Sequence, residues 1–119
     1  FAGNRPNVKT NQSGYIAGVR SNTAYVTNFG LIATEGPVTV EVTLLNKLTG
    51  APIGTRQFEL TANQSIIQPD ILRVLHPSAD SGSLKIRVVE GTSVWAYASM
   101  KDLLTSDPEY IPATPVDDQ

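Results

Sequence analysis

The 119-residue sequence predicts an all-β fold, a single antiparallel β-sandwich of about seven short strands. Apolar residues at positions 38, 40, 42 and 44 alternate with polar residues at 39, 41 and 43, which is typical of a strand with one buried face. Residues that favour turns recur at intervals of about 8–12 residues, as they do in sandwiches. The length suits one domain whose core is large enough to need no disulfide or metal.

The first residues predict an extended arm that precedes the sandwich. Residues 1–13 are rich in asparagine, contain a glycine and a proline, and offer Val8 as a residue of the kind that fills interiors. Such a composition lacks the periodicity of a strand or a helix. We therefore divide the chain into an arm at 1–13, a sandwich domain at 14–113 and a C-terminal tail at 114–119.

The strands of the first half follow the arm. Two short strands, or one bent strand, are expected from Tyr15 to Val19 and from Thr23 to Thr27. Gly30 and Gly36 break the chain before the strand at 38–45.

The next strand, at 53–60, follows a turn in which Gly50 supplies a positive φ at low cost. Phe58 and Leu60 are expected to point inward. Gly54 indicates a bulge or a close approach of another backbone.

The second half begins with a short helical element. Asp70 is placed to cap a single helical turn that ends before His76 and plugs one end of the sandwich. A strand at 84–89 and a strand at 94–100 are expected to form a hairpin through the turn at 90–93. A last extended piece at 109–112 closes a sheet edge, where its proline is tolerated.

Composition excludes several classes of function. The net charge is −2, so little is available to displace the counterions of a nucleic acid. There is no cysteine, hence no thiolate catalysis or cysteine zinc site, and no apolar run reaches the roughly 20 residues that a membrane span needs. The chain starts at Phe1 instead of Met, as a mature product does after removal of a leader, and we expect an extracellular location.

A family resemblance lies mainly in the C-terminal part. Residues 94–102 read Val-Trp-Ala-Tyr-Ala-Ser-Met-Lys-Asp, and Thr-Ser-Asp-Pro and Ile-Pro-Ala follow at 105–108 and 111–113. This resembles the closing hairpin of immunoglobulin-like sandwich modules in large secreted bacterial proteins, which commonly end in Ala-Tyr-Ala-Ser, Thr-Gly-Asp-Pro and Ile-Pro-Ala. The Arg-Ser-Asn at 20–22 is similar to their opening strand. The resemblance implies an immunoglobulin-like fold and an extracellular setting, and it implies no reaction.

No group of residues predicts catalysis. His76 is the only histidine, it has no nucleophile motif beside it, and we interpret it as a structural or surface residue. Asp102, Thr105 and Asp107 supply oxygen atoms of the kind that hold calcium, but their spacing matches no EF-hand and Lys101 opposes a cation. An Asx-type turn is the favoured interpretation. We expect no enzyme activity, no cofactor and no metal.

Two aromatic residues are candidates for a contact surface. Trp95 and Tyr97 lie two residues apart and therefore share one face of their strand. They either form an exposed pair for sugar stacking or subunit contact, or fill the core while the small residues between them meet a neighbouring layer. The core interpretation is favoured. Asn11 and Asn63 each match the pattern of a glycosylation site.

The arm and the open edges of a sandwich suggest how copies assemble. An unpaired strand edge is a template for an added strand from another molecule. Our leading hypothesis is a secreted structural subunit that polymerises head to tail into a filament or pilus-like fibre, with Phe1, Val8, Tyr15 and Ile16 anchoring the arm. The alternative is a carbohydrate-binding or adhesive module of a larger secreted protein, which binds surface glycans through Trp95 and Tyr97.

Overall fold

The computed structural model describes residues 7–118 as two antiparallel β-sheets packed face to face, which confirms the all-β sandwich. Ten strands and one short helix make up this part of the chain. In chain order the elements are β1 (Val8–Lys9), β2 (Gln12–Arg20), β3 (Tyr25–Ile32), β4 (Val38–Leu45), β5 (Pro52–Leu60), β6 (Ser65–Gln68), α1 (Ile71–Leu75), β7 (Ser81–Glu90), β8 (Ser93–Asp102), β9 (Pro108–Pro112) and β10 (Thr114–Asp117).

The two sheets have five strands each. Sheet I has the order β1-β8-β3-β6, and β9 pairs with the same edge of β8 as β1. Sheet II has the order β10-β2-β7-β4-β5. Both the first and the last strands of the chain are therefore paired within the molecule.

The core lies between the sheets and has the predicted alternation. Val40, Val42 and Leu44 of β4 are fully buried, and so are Leu84 and Ile86 of β7. Each such side chain contributes roughly 1.5–3 kcal/mol on burial. Phe58 and Leu60 of β5 also face the core, as expected from their positions in the strand.

The prediction of about seven strands is too low, since the structure has ten. The three additional strands, β1, β6 and β10, are two to four residues long. Segments this short carry no readable alternation. They become strands because a longer neighbour offers them hydrogen-bonding partners.

The expected arm at 1–13 differs from the structure. Residues 8–9 form β1 and residues 12–13 begin β2, because Val8 inserts into the core and Thr10 donates a backbone hydrogen bond to Thr92. Residues 1–6 lie outside the described part of the chain. The tail expected at 114–119 forms β10 over most of its length and pairs with β2.

Gly30 does not break the chain, contrary to the prediction. It lies in the middle of β3, between β6 and β8. The ring of Tyr97 covers the space that a side chain would occupy at this position. A glycine in a strand interior is weakening on its own, and the aromatic neighbour compensates for it.

The predicted hairpin between β7 and β8 is wrong. The two strands belong to different sheets, and the chain crosses the sandwich at Gly91 and Thr92. Gly91 has a φ of 101°, and a Cβ there would lie 2.6 Å from the carbonyl oxygen of Pro37. The short connection therefore joins the layers instead of pairing the two strands.

The predicted helical turn is confirmed at α1, but its predicted cap is wrong. Asp70 adopts a left-handed conformation with a φ of 49°, and its carboxylate makes no hydrogen bond to the helix. It accepts a hydrogen bond from the hydroxyl of Ser21 instead. This bond fixes α1 to the loop between β2 and β3. Within residues 7–118 no helix is long and apolar enough to cross a membrane.

The Asx-type turn predicted after β8 is confirmed. Asp102 Oδ1 accepts hydrogen bonds from the backbone N–H groups of Leu104 at 2.8 Å and Thr105 at 3.2 Å. Thr105 Oγ1 in turn accepts one from the N–H of Asp107 at 3.3 Å. These oxygens therefore hold the turn itself.

Candidate functional site: an aromatic patch on the outer face of sheet I

The two faces of β8 have opposite roles. Val94, Ala96 and Ala98 belong to the core between the sheets. Since side chains alternate along a strand, Trp95 and Tyr97 point to the outer face of sheet I. The favoured interpretation of these rings as filling the core between the sheets is wrong as to the face, because the small side chains occupy that side. Trp95 is nevertheless buried, with 7% of it exposed.

Three aromatic rings form a continuous ridge on this face. Trp95 and Tyr97 are stacked with their ring centroids 4.7 Å apart and their planes at 26°. Tyr97 and Tyr110 are 6.4 Å apart and tilted by 45°. Both geometries are favourable for aromatic pairs. The exposed fraction rises along the ridge, from 7% at Trp95 to 65% at Tyr110.

Gly30 explains why the rings can lie close to the sheet. It is directly opposite Tyr97, and a Cβ at this position would lie 2.2 Å from Tyr97 Cε1. The tyrosine ring therefore rests on the glycine, and it also stacks against the ring of Trp95. A glycine opposite an aromatic residue is the local signal for this arrangement.

Aliphatic side chains extend the ridge across the sheet. Ile67 of β6 lies opposite Gly30, and Pro112 of β9 lies opposite Tyr97. Ile32 lies opposite Trp95. Ile67 is 66% exposed. We call the set formed by Ile32, Ile67, Trp95, Tyr97, Tyr110 and Pro112 the aromatic patch. None of its members carries a charge.

Replacing Gly30 with alanine is expected to displace the Tyr97 ring while leaving the fold intact. The new methyl group meets the far end of a side chain that can rotate, so we expect a stability loss of about 1 kcal/mol or less. The emission of the single tryptophan should change, because Tyr97 stacks on it. Val89→Ala, on an exposed residue of sheet II, is the control and should leave the emission unchanged. Unchanged emission in Gly30→Ala would contradict the described packing.

The residues proposed as arm anchors lie in different places. Val8 and Ile16 are 0% and 1% exposed in the core of their own sandwich, so in this fold they are not available to a neighbouring copy. Tyr15 lies on the outer face of sheet II, opposite Lys85. Phe1 lies outside the described residues.

The two asparagines of the glycosylation pattern occupy exposed turns. Asn11 lies between β1 and β2 with a φ of 70°, and Asn63 lies between β5 and β6 with a φ of 64°. The left-handed conformation is one that asparagine tolerates well. Both residues are exposed.

His76 has the predicted structural role. Its ring Nδ1 accepts a hydrogen bond from the backbone N–H of Ser78 at 3.2 Å. The backbone N–H of His76 caps α1 by donating a hydrogen bond to the carbonyl of Leu72. Within residues 7–118, no three histidine or acidic side chains converge on a point where a metal ion could bind.

One strand edge is long and open. β5 has nine residues and pairs only with β4 in the described part of the chain. β6, β9 and β10, which also lie at edges, have four or five residues, and β9 and β10 contain prolines, which remove donors from a ladder. The proline of β5, Pro52, is its first residue and leaves the rest of the strand free to donate. The β5 edge is therefore the one best suited to accept a strand from another molecule.

Comparison with known proteins supports the fold and goes no further. No protein-family model matches the chain, and no curated protein is significantly similar to it. The crystal structure of Thermotoga maritima 1070 superposes with a TM-score of 0.64, covering 92% of this chain and 96% of that one at 12% sequence identity. At this identity the similarity concerns the sandwich architecture alone.

Proposed function

We propose that this protein is a non-enzymatic structural subunit of an extracellular assembly, in which copies of the chain contact one another through the aromatic patch. The observation that carries the proposal is the row of apolar side chains across the outer face of sheet I, where Ile67 and Tyr110 are about two-thirds exposed. Contiguous exposed apolar surface of this kind is typical of binding sites. The extracellular setting rests on the resemblance in the C-terminal segment.

The composition of the aromatic patch favours a protein partner. Protein interfaces are enriched in tyrosine and depleted of charge at their centres. A sugar ring stacks on an open aromatic face. Only 7% of Trp95 is exposed, so its ring offers little surface on which a sugar could stack. Isoleucines at 32 and 67 add aliphatic surface, which suits a flat protein contact.

Contacts that use the same surface on both copies build a filament only when two different contacts of this kind alternate. A contact between two aromatic patches uses the same surface on both copies, so it closes at a dimer. The open edge of β5 offers a second surface, through which two such dimers pair strand to strand. Alternating these two contacts produces an open chain of copies. This replaces the arm as the connector.

Ile67→Glu is expected to weaken self-association. A carboxylate in the aromatic patch would have to be desolvated in the contact, which is costly without a partner. Sedimentation velocity over a concentration series should show association of the wild-type chain, and the variant should need at least about tenfold more protein, equivalent to roughly 1.4 kcal/mol. Val89→Glu is the matched control, since Val89 is exposed on the other sheet.

The same series decides the proposal. A wild-type chain that stays monomeric at millimolar concentration, or a Val89→Glu variant that dissociates as strongly as Ile67→Glu, would contradict it. Negative-stain images of the concentrated wild-type protein distinguish a closed dimer from a filament.

Carbohydrate binding by the same patch is the second candidate. The observation in its favour is the ring of Tyr110, which is 65% exposed at the end of the ridge. A glycan panel probed with the wild-type chain and with Tyr110→Ala separates the two. Binding to a glycan that the variant loses, with self-association unchanged, would favour the adhesive module over the structural subunit.

A further inference from the structure

The outer face of sheet II, on the side of the sandwich opposite the aromatic patch, contains a basin of about 460 Å³. Strands β2, β7, β4 and β5 line it, together with Gly50 from the turn between β4 and β5 and Pro52 at the start of β5. The volume is in the range of small-ligand sites. We call this cavity the sheet II basin.

Strand register fixes the order of side chains on the floor. Tyr15 is opposite Lys85, Lys85 is opposite Thr43, and Thr43 is opposite Thr55. Directly opposite residues have Cβ atoms about 5 Å apart, so a tyrosine, a lysine and two threonines form one row across the sheet. The Thr43 and Thr55 hydroxyl oxygens are 3.1 Å apart and hydrogen-bonded. Tyr15 is 36% exposed.

The charge of the sheet II basin is opposite to that of the chain. Lys85 and Arg87 project from the central strand, and Glu41 is the acidic residue in the lining. Arg87 Nη2 lies 3.4 Å from Glu41 Oε1, which leaves most of its five N–H donors available. Lys85 has no carboxylate within ion-pair distance among residues 7–118. The basin therefore carries one excess positive charge in a chain of net charge −2.

We propose that the sheet II basin binds an acidic sugar, a hexuronate unit of a polysaccharide. The Tyr15 ring packs against the sugar ring, Lys85 and Arg87 bind the carboxylate, and the hydroxyl of Thr55, which is exposed, hydrogen-bonds a sugar hydroxyl. Thr43 is 8% exposed and supports Thr55 through the hydrogen bond between their hydroxyls. One excess charge matches one carboxylate. A bare phosphate would use the cations and leave the tyrosine and the threonines without a role. The site is independent of the contact proposed for the aromatic patch.

Titration calorimetry on the full chain tests the inference. An oligogalacturonate should bind at least about tenfold more tightly than a neutral galacto-oligosaccharide of the same length, because only the acidic sugar uses Lys85 and Arg87. Lys85→Met and Tyr15→Ala should each weaken oligogalacturonate binding by about tenfold or more. Lys9→Met, which removes a cation from an exposed site on β1, is the matched control and should bind like the wild type.

The competing outcomes are distinct. No binding by the wild-type chain, equal binding of the neutral sugar, or equal weakening in Lys9→Met would overturn the inference. Competition by inorganic phosphate at the same concentration as oligogalacturonate would also overturn it, in favour of a simple anion site. If Lys85→Met proves to be unstable, Lys85→Gln keeps a polar side chain and must show the same loss.

Discussion

Phe29→Ala is expected to lower the free energy of unfolding by about 3–5 kcal/mol, the range for a large aromatic residue removed from a core. Phe29 is 1% exposed in the middle of β3, and its ring lies 6.4 Å from that of Phe58. Its cross-strand neighbour on β8 is Ala98, whose side chain is too small to fill the cavity. Such a loss is a large part of the roughly 5–15 kcal/mol that a domain has.

Equilibrium denaturation in urea measures the effect of Phe29→Ala. The midpoint should fall with little change in slope, since the surface exposed on unfolding is nearly the same. Val89→Ala, on an exposed side chain, should change stability by no more than about 0.5 kcal/mol. Comparable losses in the two variants would show that β3 does not lie at the centre of the core.

Gly54→Ala has the second largest expected effect. A Cβ at this position would lie 2.0 Å from the backbone carbonyl oxygen of Leu75, at the end of α1. Backbone cannot rotate away as a side chain can, so α1 or β5 must shift. We expect a loss at the upper end of the range for overpacking, about 3 kcal/mol.

Gly50→Ala is the control for Gly54→Ala. Gly50 has a φ of 75° and nothing within 4 Å of an added Cβ, so this variant carries only the strain of a left-handed conformation. We expect it to lose about 1–2 kcal/mol. The melting temperature of each variant, followed by circular dichroism, gives the order. A Gly54→Ala protein as stable as the wild type would mean that α1 does not pack against β5 in solution.

The strands with one buried face could be predicted from the sequence, and the layer connections could not. β4 and β7 alternate regularly because one face meets the core and the other meets water. Residues 90–93 predict a hairpin turn, since a short link between two strands has that local pattern whether or not the strands pair. Only the packing of Gly91 against Pro37 decides that the chain crosses to the other sheet.

The sequence predicts that Trp95 and Tyr97 share a face, but it does not predict that this face is the outer one. Alternation places Trp95 and Tyr97 on one face of β8, but both faces of this strand are apolar, so the pattern does not say which one is outside. That choice depends on β3, where Gly30 leaves room for a ring. Ile67 and Tyr110 join the patch through strand register, which arises from the fold as a whole.

The pairing of β2 with β10 determines how the molecule responds to mechanical force. Gln12 pairs with Asp117 at one end of this ladder, and Tyr15 pairs with Thr114 at the other. Once the two residue pairs of β1 have separated, tension along the chain pulls on Gln12 and Asp117 at the same end, so the ladder unzips one pair at a time instead of shearing as a unit. A fibre made of such units would resist stretching only if force passed across the surfaces of its members, bypassing their terminal strands.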